Sequence, residues 1–404
     1  MKRLQHVVCA ISGGVDSAVS AYLLKKEGYK VTGCFMKNWN RQEELFNNCS
    51  MDKDLEDAEY VCKKLEIPFL TVDFSKQYWN KVFSQFLLEY QIGMTPNPDI
   101  LCNKYIKFPM LVQHCLSNID NVDYIATGHY SRLKYDEKVK RLDELKDQSF
   151  FLSQIDPSLL CNILFPVGDM LKSEVRKLAA NLGLDRIHKK KSSVGICFIG
   201  KRKFSDFIDE YLPKEPGMII HLENEKSMGE HNGIHHFTIG QRIVINDKIN
   251  VTKEAFYVAK KDLNKNIIFV VPGTDHPSLY YNQFIVEKPH WICENREENA
   301  TDDIVLNENF EFKFQNKHYQ SKIKYLKKQH DPNNNDYRYI VQTEKNFRAV
   351  PKGQFAVFYD GEECIGSAKI IDTPKSLYDE GYIMGPIINS DKSLNKKYIS
   401  NNYR

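Results

Sequence analysis

The stretch Val7-Val8-Cys9-Ala10-Ile11-Ser12-Gly13-Gly14-Val15-Asp16-Ser17 constrains this chain more than any other. An apolar, β-type run ends in two glycines, and a helix-forming segment, Ala18 to Lys26, begins at once. Adjacent glycines let the backbone turn tightly and bring successive N–H groups close to an anion. The helix behind them adds its first-turn N–H groups and the positive end of its dipole. Asp16 and Ser17 fall in that first turn, and Ser17 carries a hydroxyl able to meet a phosphate. The spacing matches neither G-x-x-x-x-G-K-[ST] nor G-x-G-x-x-G. It predicts a phosphate cradle of a third kind; two glycines alone would equally fit an ordinary strand–turn–helix.

At 404 residues the chain has room for two or three domains, each with its own core. Between residue 1 and about 130, strand-like runs (Val7–Ile11, Val31–Met36, Phe69–Phe74, Tyr124–Thr127) alternate with helical ones. Leu55, Ala58, Cys62 and Leu65 recur at helical spacing, as do Tyr78, Val82, Phe86 and Tyr90. Repeated βα units predict an α/β fold with a doubly wound parallel sheet, its ligands bound at the carboxyl ends of the strands. The Gly13-Gly14 loop, Met36 and the Gly128-His129 turn would meet there. Residues 131–150 are polar and read as a surface loop; Leu171–Leu182 and Phe204–Tyr211 read as helices.

Pro213–Gly217 reads as a junction, after which short strands take over, including His235–Ile239, Phe256–Ala259, Ile267–Val271, Phe310–Phe314, Tyr337–Thr343 and Gln354–Tyr359. Such spacing predicts a small central β-rich domain followed by a C-terminal β-barrel. The expected units are 1–212, 213–280 and 281–372, with 373–404 a polar, poorly ordered tail.

No apolar run approaches the roughly 18 residues of a membrane span. A net charge of +3 does not by itself indicate a nucleic-acid partner, so local charge decides. The ten cysteines form no C-x-x-C and complete no zinc pattern with histidine, so no metal site is expected. Met1 to His6 leave little room for an Arg/Ser-rich transit peptide before the first strand.

Two further stretches carry chemistry. In Thr95-Pro96-Asn97-Pro98-Asp99-Ile100-Leu101-Cys102-Asn103-Lys104, two prolines stiffen the backbone around Asn97 and Asp99. Asp99 could serve as acid or base, Asn97 could read a hydrogen-bonding edge, and Cys102 follows closely; a proline-rich turn with an Asx cap is the plainer reading. In Ser192–Gly200, glycines flank Cys197. Between Arg186 and Lys203 stand seven Lys/Arg, with His188 and no acid. Positive charge favours the thiolate and attracts a phosphate backbone, although a solvated face is the plainer reading of the charges alone. Ser12–Ser17 resembles the ATP pyrophosphatase signature, which implies ATP activation of a substrate oxygen; attack by cysteine-borne sulfur would then replace C=O by C=S on an RNA base, with one thiol carrying sulfur and the other resolving the persulfide.

Taken together, Ala10–Ser17, Phe35–Trp39, Thr95–Lys104, Thr127–Tyr130, Lys146–Leu152, Gly195–Arg202, Thr238–Arg242 and Gly353–Tyr359 resemble, in order, the tRNA-specific 2-thiouridylases, most closely their mitochondrial members. The first stretch alone resembles the signature of the ATP pyrophosphatases. The resemblance implies ATP and Mg²⁺, with Ala10, Ile11, Ser12, Gly13, Gly14, Val15, Asp16, Ser17, Met36 and Gly128 at the nucleotide. It places Asn97, Pro98 and Asp99 at the target uridine, the wobble base of the anticodon, with Asp99 as acid/base. Cys102 becomes the nucleophile and Cys197 the persulfide carrier, with a Cys102–Cys197 disulfide formed as sulfur leaves. His129, Lys146, Asp147, Gln148 and Gln354 would touch tRNA. Lys324 and Tyr325 stand where an Arg-Tyr pair is expected, and Ile243–Asn246 replaces a glycine-rich hinge. The sulfur would originate from a cysteine desulfurase, and the site of action would be mitochondrial, with the cytoplasm the alternative. Another ATP pyrophosphatase reaction, amidation or ligation, or a non-catalytic tRNA-binding protein, are the competing readings.

Overall fold

The computed structural model describes residues 3–39, 51–133, 139–140, 148–190, 198–199, 202–246, 254–292, 310–313, 320–330 and 337–382. The chain opens with β1 (His6–Ala10), α1 (Val15–Lys26), β2 (Lys30–Lys37), α2 (Met51–Lys64) and β3 (Phe69–Asp73). A helical run follows: α3 (Ser75–Tyr78), a π-helical turn (Trp79–Phe83) and α4 (Ser84–Gln91). A second such run has α5 (Pro98–Cys102), another π-helical turn (Asn103–Lys107) and α6 (Pro109–Asn118). Then come β4 (Tyr124–Ala126), β5 (Arg132–Leu133), β6 (Val139–Lys140), α7 (Ser149–Leu152), β7 (Ile163–Leu164), α8 (Lys172–Asn181), α9 (Asp185–His188) and α10 (Phe204–Ile208).

Strands β3-β2-β1-β4-β7 form one sheet, every pairing parallel. Successive side chains of β1 point to opposite faces, and both faces are covered. Val7, Cys9 and Ile11 pack with α1, α2 and α8, whereas Val8 and Ala10 pack with the residues of α4 to α6. The chain winds from β1 outward to β3, then returns to place β4 on the other side of β1. That reversal opens a crevice at the carboxyl ends of β1 and β4.

The middle of the chain builds a second sheet from β8 (Gly217–His221), β9 (Ser227–His231), β10 (Arg242–Ile243), β11 (Phe256–Asp262) and β12 (Ile267–Pro272), in the order β10-β11-β12-β8-β9. The last part adds β13 (Tyr280–Val286), β14 (His290–Trp291), β15 (Phe310–Lys313), β16 (Gln320–His330), β17 (Tyr337–Arg348), β18 (Phe355–Asp360) and β19 (Glu363–Asp372). The path β13-β17-β16-β15-β18-β19 returns to β13 through a β13–β19 pairing, so six strands close into a barrel and cover their own edges. Strand β18 shows what the barrel rests on. Ala356 and Phe358 point into the barrel core, while Phe355, Val357 and Tyr359 join the core of the N-terminal unit. Among the described residues, no helix is long and apolar enough to cross a membrane.

Three expectations change. The run His235–Ile239 is not a strand: Ile234–His236 forms a 3₁₀ turn, and a second turn follows, with Gln241 N–H donating to Thr238 O at 3.0 Å and Gly240 at φ +81°. The segment 131–150 is not only a loop, because β5 and β6 pair with each other and β6 extends the barrel sheet along β19. The polar tail begins with a packed turn: Leu377 is buried beside Leu279 and Tyr280 and donates its N–H to Tyr280 O at 2.9 Å. Residues 383–404 lie outside the described residues.

The barrel is also tied to α4 by charge. Lys369 Nζ lies 2.5 Å from Glu89 Oε1, with the two side chains only 12% and 5% exposed. Removing one partner of a buried pair strands the other charge and costs about 3–5 kcal/mol. Lys369→Met should therefore lower urea-unfolding stability by about that amount, and adding Glu89→Leu should recover most of it.

Candidate active site

Ile11 N–H still bonds Cys34 O at 2.8 Å, so the chain leaves the sheet only at Ser12. Gly13 then takes φ +69°, and a Cβ there would lie 2.3 Å from the Asp54 carbonyl oxygen of α2. Gly14 is the N-cap of α1 and offers no side-chain cap, which leaves the first-turn N–H groups of Val15, Asp16 and Ser17 for another acceptor. Ser17 is buried. Its hydroxyl accepts from Ser12 N–H at 3.1 Å and donates to Gly14 O at 3.1 Å, so it shapes the loop from within.

Gly128 follows β4 and presses on the same turn. A Cβ at Gly128 would stand 2.6 Å from Ser17 N and 2.8 Å from the Asp16 carbonyl carbon. Met36, half-buried near the end of β2, lies along the same carboxyl edge of the sheet. Asp16 is anchored from two sides that sequence reasoning did not pair: Tyr130 OH donates to its Oδ1 at 2.6 Å, and Lys172 Nζ, from the start of α8, donates to the same oxygen. The Lys172 contact joins residues 156 apart and has no signature in local spacing. Lys190 reaches the loop from the opposite side, its Nζ 3.1 Å from Gly13 O, 2.7 Å from Asp54 and 2.6 Å from the buried carboxylate of Asp57. Burial pulls the Lys190 ammonium down, but hydrogen bonds to Asp54 and Asp57 outweigh it and hold the ammonium above its ordinary range.

The Asn97 loop is built as the two prolines imply. Asn97 caps α5 by accepting from Ile100 N–H at 3.2 Å, and Pro98 occupies the first helical turn. The barrel clamps this loop. Gln354 accepts from Asn97 Nδ2 at 3.3 Å and donates to Thr95 O at 2.9 Å, while Thr95 N–H donates to Lys352 O at 2.7 Å. Thr238, from the turn before β10, approaches Thr95, hydroxyl to hydroxyl, at 3.3 Å. Three parts of the chain thus converge on one short loop, and two candidate residues 257 positions apart, Asn97 and Gln354, touch each other. Cys102 ends α5, buried, immediately before a π-helical turn, a local irregularity frequent at functional sites. Phe108, six residues on, packs on the ring of His129 at 5.7 Å, next to Gly128. That contact connects the Cys102 helix to the nucleotide loop.

Burial raises the Asp99 carboxyl above the ordinary carboxylate range, and Lys107 offsets only part of this. His129 is buried, its Nδ1 2.7 Å from the Thr127 hydroxyl. Gln148 accepts from Tyr130 N–H at 3.0 Å, so it braces the tyrosine that holds Asp16. Lys324 and Tyr325 lie in β16, where the register with β17 shifts between Ile323 and Tyr325.

Lys146, Asp147 and Cys197 lie outside the described residues. The residues next to the Cys197 segment are firmly held. Phe198 is buried against Trp39, Phe83, Phe86 and Phe207, and Arg202 bonds Phe198 O at 3.1 Å and Glu210 at 3.2 Å. The basic run is therefore less free than its composition implies. Arg186 pairs with Glu56 and Asp57, Lys190 with Asp54 and Asp57, and Arg202 with Glu210, so three of the seven charges serve the fold. Lys189 and Lys203 remain exposed.

Comparison with known proteins now decides the family. Residues 5–201 match the tRNA methyl transferase HUP domain, 205–272 the tRNA methyl transferase PRC-barrel domain, and 281–370 the aminomethyltransferase beta-barrel domain. The mitochondrial tRNA-specific 2-thiouridylase 1 of Homo sapiens is 42% identical over 94% of this chain and 93% of its own length. The protein of the same name from Drosophila melanogaster is 39% identical over 91% of this chain and 94% of its own. The tRNA-specific 2-thiouridylase MnmA of Legionella pneumophila is 40% identical over 90% of this chain and 98% of its own. The chain belongs to the tRNA-specific 2-thiouridylase family. The domain descriptions carry a methyl-transfer label, but near-complete, end-to-end similarity to proteins named thiouridylases fixes the family as a whole.

Two outcomes follow from the geometry. A methyl at Gly128 has only backbone to displace, so Gly128→Ala should destabilise the fold by about 1–3 kcal/mol and weaken ATP binding at least tenfold by equilibrium dialysis. For Asp99, the folded state holds its proton above the unfolded carboxyl pKa of about 3.9, so stability falls as pH rises through that window. Asp99→Asn should therefore match the parent near pH 3 and be more stable at pH 7 in denaturant titrations, while losing thiolation activity.

Proposed function

We propose that this chain is a tRNA-uridine 2-sulfurtransferase that uses ATP to make 2-thiouridine at the wobble position. The observation that carries this reading is the convergence of the Asn97–Cys102 loop, clamped by Gln354, with the crevice at Ser12–Ser17 and Gly128, in a chain of this family. The loop suits ATP: glycine-only backbone, uncapped N–H groups at the start of a twelve-residue helix, and two lysines at its rim. The nearby carboxylates Asp16 and Asp54 are each paired with a lysine. Mg²⁺ would thus be held mainly by the nucleotide phosphates, with Asp16 the α1 carboxylate that could contribute, and it would offset the charge of the leaving pyrophosphate.

In the proposed reaction the uridine C2 oxygen attacks the α-phosphorus of ATP and pyrophosphate leaves. Sulfur then adds to C2 and AMP departs with the former base oxygen. Sulfur arrives as a persulfide on Cys197, delivered from a cysteine desulfurase. Cys102 thiolate attacks the inner sulfur, releasing the outer one and leaving a Cys102–Cys197 disulfide that a reductant must reopen. Asn97, Pro98 and Asp99 face the base, with Asp99, whose hold on its proton burial strengthens, as acid/base. Gln354 holds the Asn97 loop, and His129 and Gln148 support the crevice floor and Tyr130. His129, Lys146, Asp147, Gln148, Lys324, Tyr325 and Gln354 are assigned to contacts with tRNA. Residues 1–212 form the catalytic unit, 213–280 the central one and 281–372 the barrel. The names of the animal relatives, mitochondrial tRNA-specific 2-thiouridylase 1, support a mitochondrial site of action, with the cytoplasm the alternative.

Two measurements test this. Cys197→Ser should abolish persulfide labelling and leave ATP binding within twofold of the parent. Mass spectrometry of digested tRNA should show 2-thiouridine lost when the protein is removed; an unchanged level would refute the proposal. Full AMP-forming activity in a Cys102→Ala, Cys197→Ala double variant would point instead to an amidation or ligation reaction.

A further inference from the structure

Away from the crevice, three side chains meet where the catalytic unit ends. Asp209 directly follows α10, whose Phe207 is locked into the aromatic cluster around Phe83 and Phe198. His235 and His236 come from the 3₁₀ turn between β9 and β10 of the middle sheet. Asp209 Oδ1 lies 2.5 Å from His236 Nε2 and 3.6 Å from His235 Nε2, and the two rings sit 4.4 Å apart at 74°. All three ligating atoms lie within 4.8 Å of one another.

Two features set this group apart from an ordinary buried ion pair. His235 is only 6% exposed, and its Nε2, aimed at the Asp209 oxygen from beyond hydrogen-bond range, has no hydrogen-bond partner among the described residues. Buried ring nitrogens are rarely left this way. A Cβ at Gly233 would come within 2.5 Å of His235 Cε1, so the bare α-carbon there is what lets the ring adopt this position. Meanwhile Lys214 Nζ lies 3.1 Å from Asp209 Oδ2 and fixes the carboxylate from outside, leaving Oδ1 directed at the imidazoles.

We propose that Asp209, His235 and His236 bind one first-row divalent cation of the Zn²⁺ type, which clamps α10 of the catalytic unit to the middle sheet. Two neutral imidazole nitrogens and one carboxylate oxygen are a Zn²⁺ donor set; Mg²⁺ and Ca²⁺ prefer oxygen alone. Donors about 2.0–2.2 Å from a tetrahedral metal stand roughly 3.3–3.5 Å apart. The His235–Asp209 spacing is already near that value, while the His236–Asp209 hydrogen bond must open and give up its proton. A water completes the fourth position on the side where His236 is partly exposed. The site is structural and lies outside the sulfur chemistry.

The test uses the full chain carrying Cys102→Ser and Cys197→Ser, stripped with a chelator and titrated with Zn²⁺ by calorimetry and with Co²⁺ by absorption. One equivalent of tight Zn²⁺ binding is expected, with a rise of several degrees in the thermal midpoint. Co²⁺ should give visible bands without the intense near-ultraviolet charge transfer of a thiolate ligand. His236→Gln should weaken Zn²⁺ at least tenfold, and His235→Gln/His236→Gln should abolish both binding and the midpoint rise. Should the double variant fail to fold without metal, Asp209→Asn decides, and it must lose the rise. Uptake that is equal in these variants and the parent, or a thiolate band, would overturn the site. No uptake by the parent would show a plain Asp–His hydrogen-bonded joint instead and equally overturn it.

Discussion

The structure depends on how closely the end of β4 approaches the first turn of α1. At Gly128 the gap to Ser17 N and Asp16 admits no Cβ, and on the other side Gly13 meets the α2 backbone equally tightly. Between these two contacts the loop has no freedom to relax around an empty centre. Contacts this tight on both sides fix the direction of its N–H groups, which is the kind of preorganisation that makes electrostatic stabilisation effective. Asp16 adds to this rigidity. A carboxylate held by a tyrosine hydroxyl and a lysine brings α8 and the turn after β4 to bear on one atom.

The barrel completes the site as well as following it in sequence. Phe355, Val357 and Tyr359 belong to the same apolar core as α4, α5 and α6. Between Phe355 and the loop it faces stands Gln354, whose amide satisfies two carbonyls and one side chain of the Asn97 turn. A domain attached by a flexible linker could not place that amide reliably. The shared core, the buried Lys369–Glu89 pair and the Gln154 amide bonded to Ser367 make the placement a property of folding. The apolar packing thus runs across the expected boundary between the first unit and the barrel.

What could be read from residues alone follows a simple division. The βα alternation, the glycine loop, the proline-stiffened cap at Asn97 and the late run of short strands are local features, and local sequence specifies them. The pairing of Lys172 with Asp16 and of Gln354 with Asn97 is not local, and no spacing rule reaches across 156 or 257 residues. The strand reading of His235–Ile239 failed because apolar alternation was outweighed by turn chemistry at Gly233 and Gly240. The basic run misled in another way. Counting charge in sequence ignores acids brought from elsewhere, and α2 supplies Asp54, Glu56 and Asp57 to Arg186 and Lys190.

That redistribution of charge bears on how sulfur chemistry and nucleotide binding are coupled. Lys190 stands directly before the Cys197 segment and bonds the carbonyl of Gly13, inside the phosphate loop. Phe198 stands directly after Cys197 and is fixed among Trp39, Phe83 and Phe207. One end of the segment therefore adjoins a residue bonded to the Gly13 turn, and the other adjoins the aromatic packing around α4 and α10. A phosphate arriving at Gly13–Ser17 competes electrostatically for the Lys190 ammonium, which Asp54 and Asp57 now hold. Among the described residues, the basic run thus divides into Arg186, Lys190 and Arg202, which are paired with acids, and Lys189 and Lys203, which are exposed.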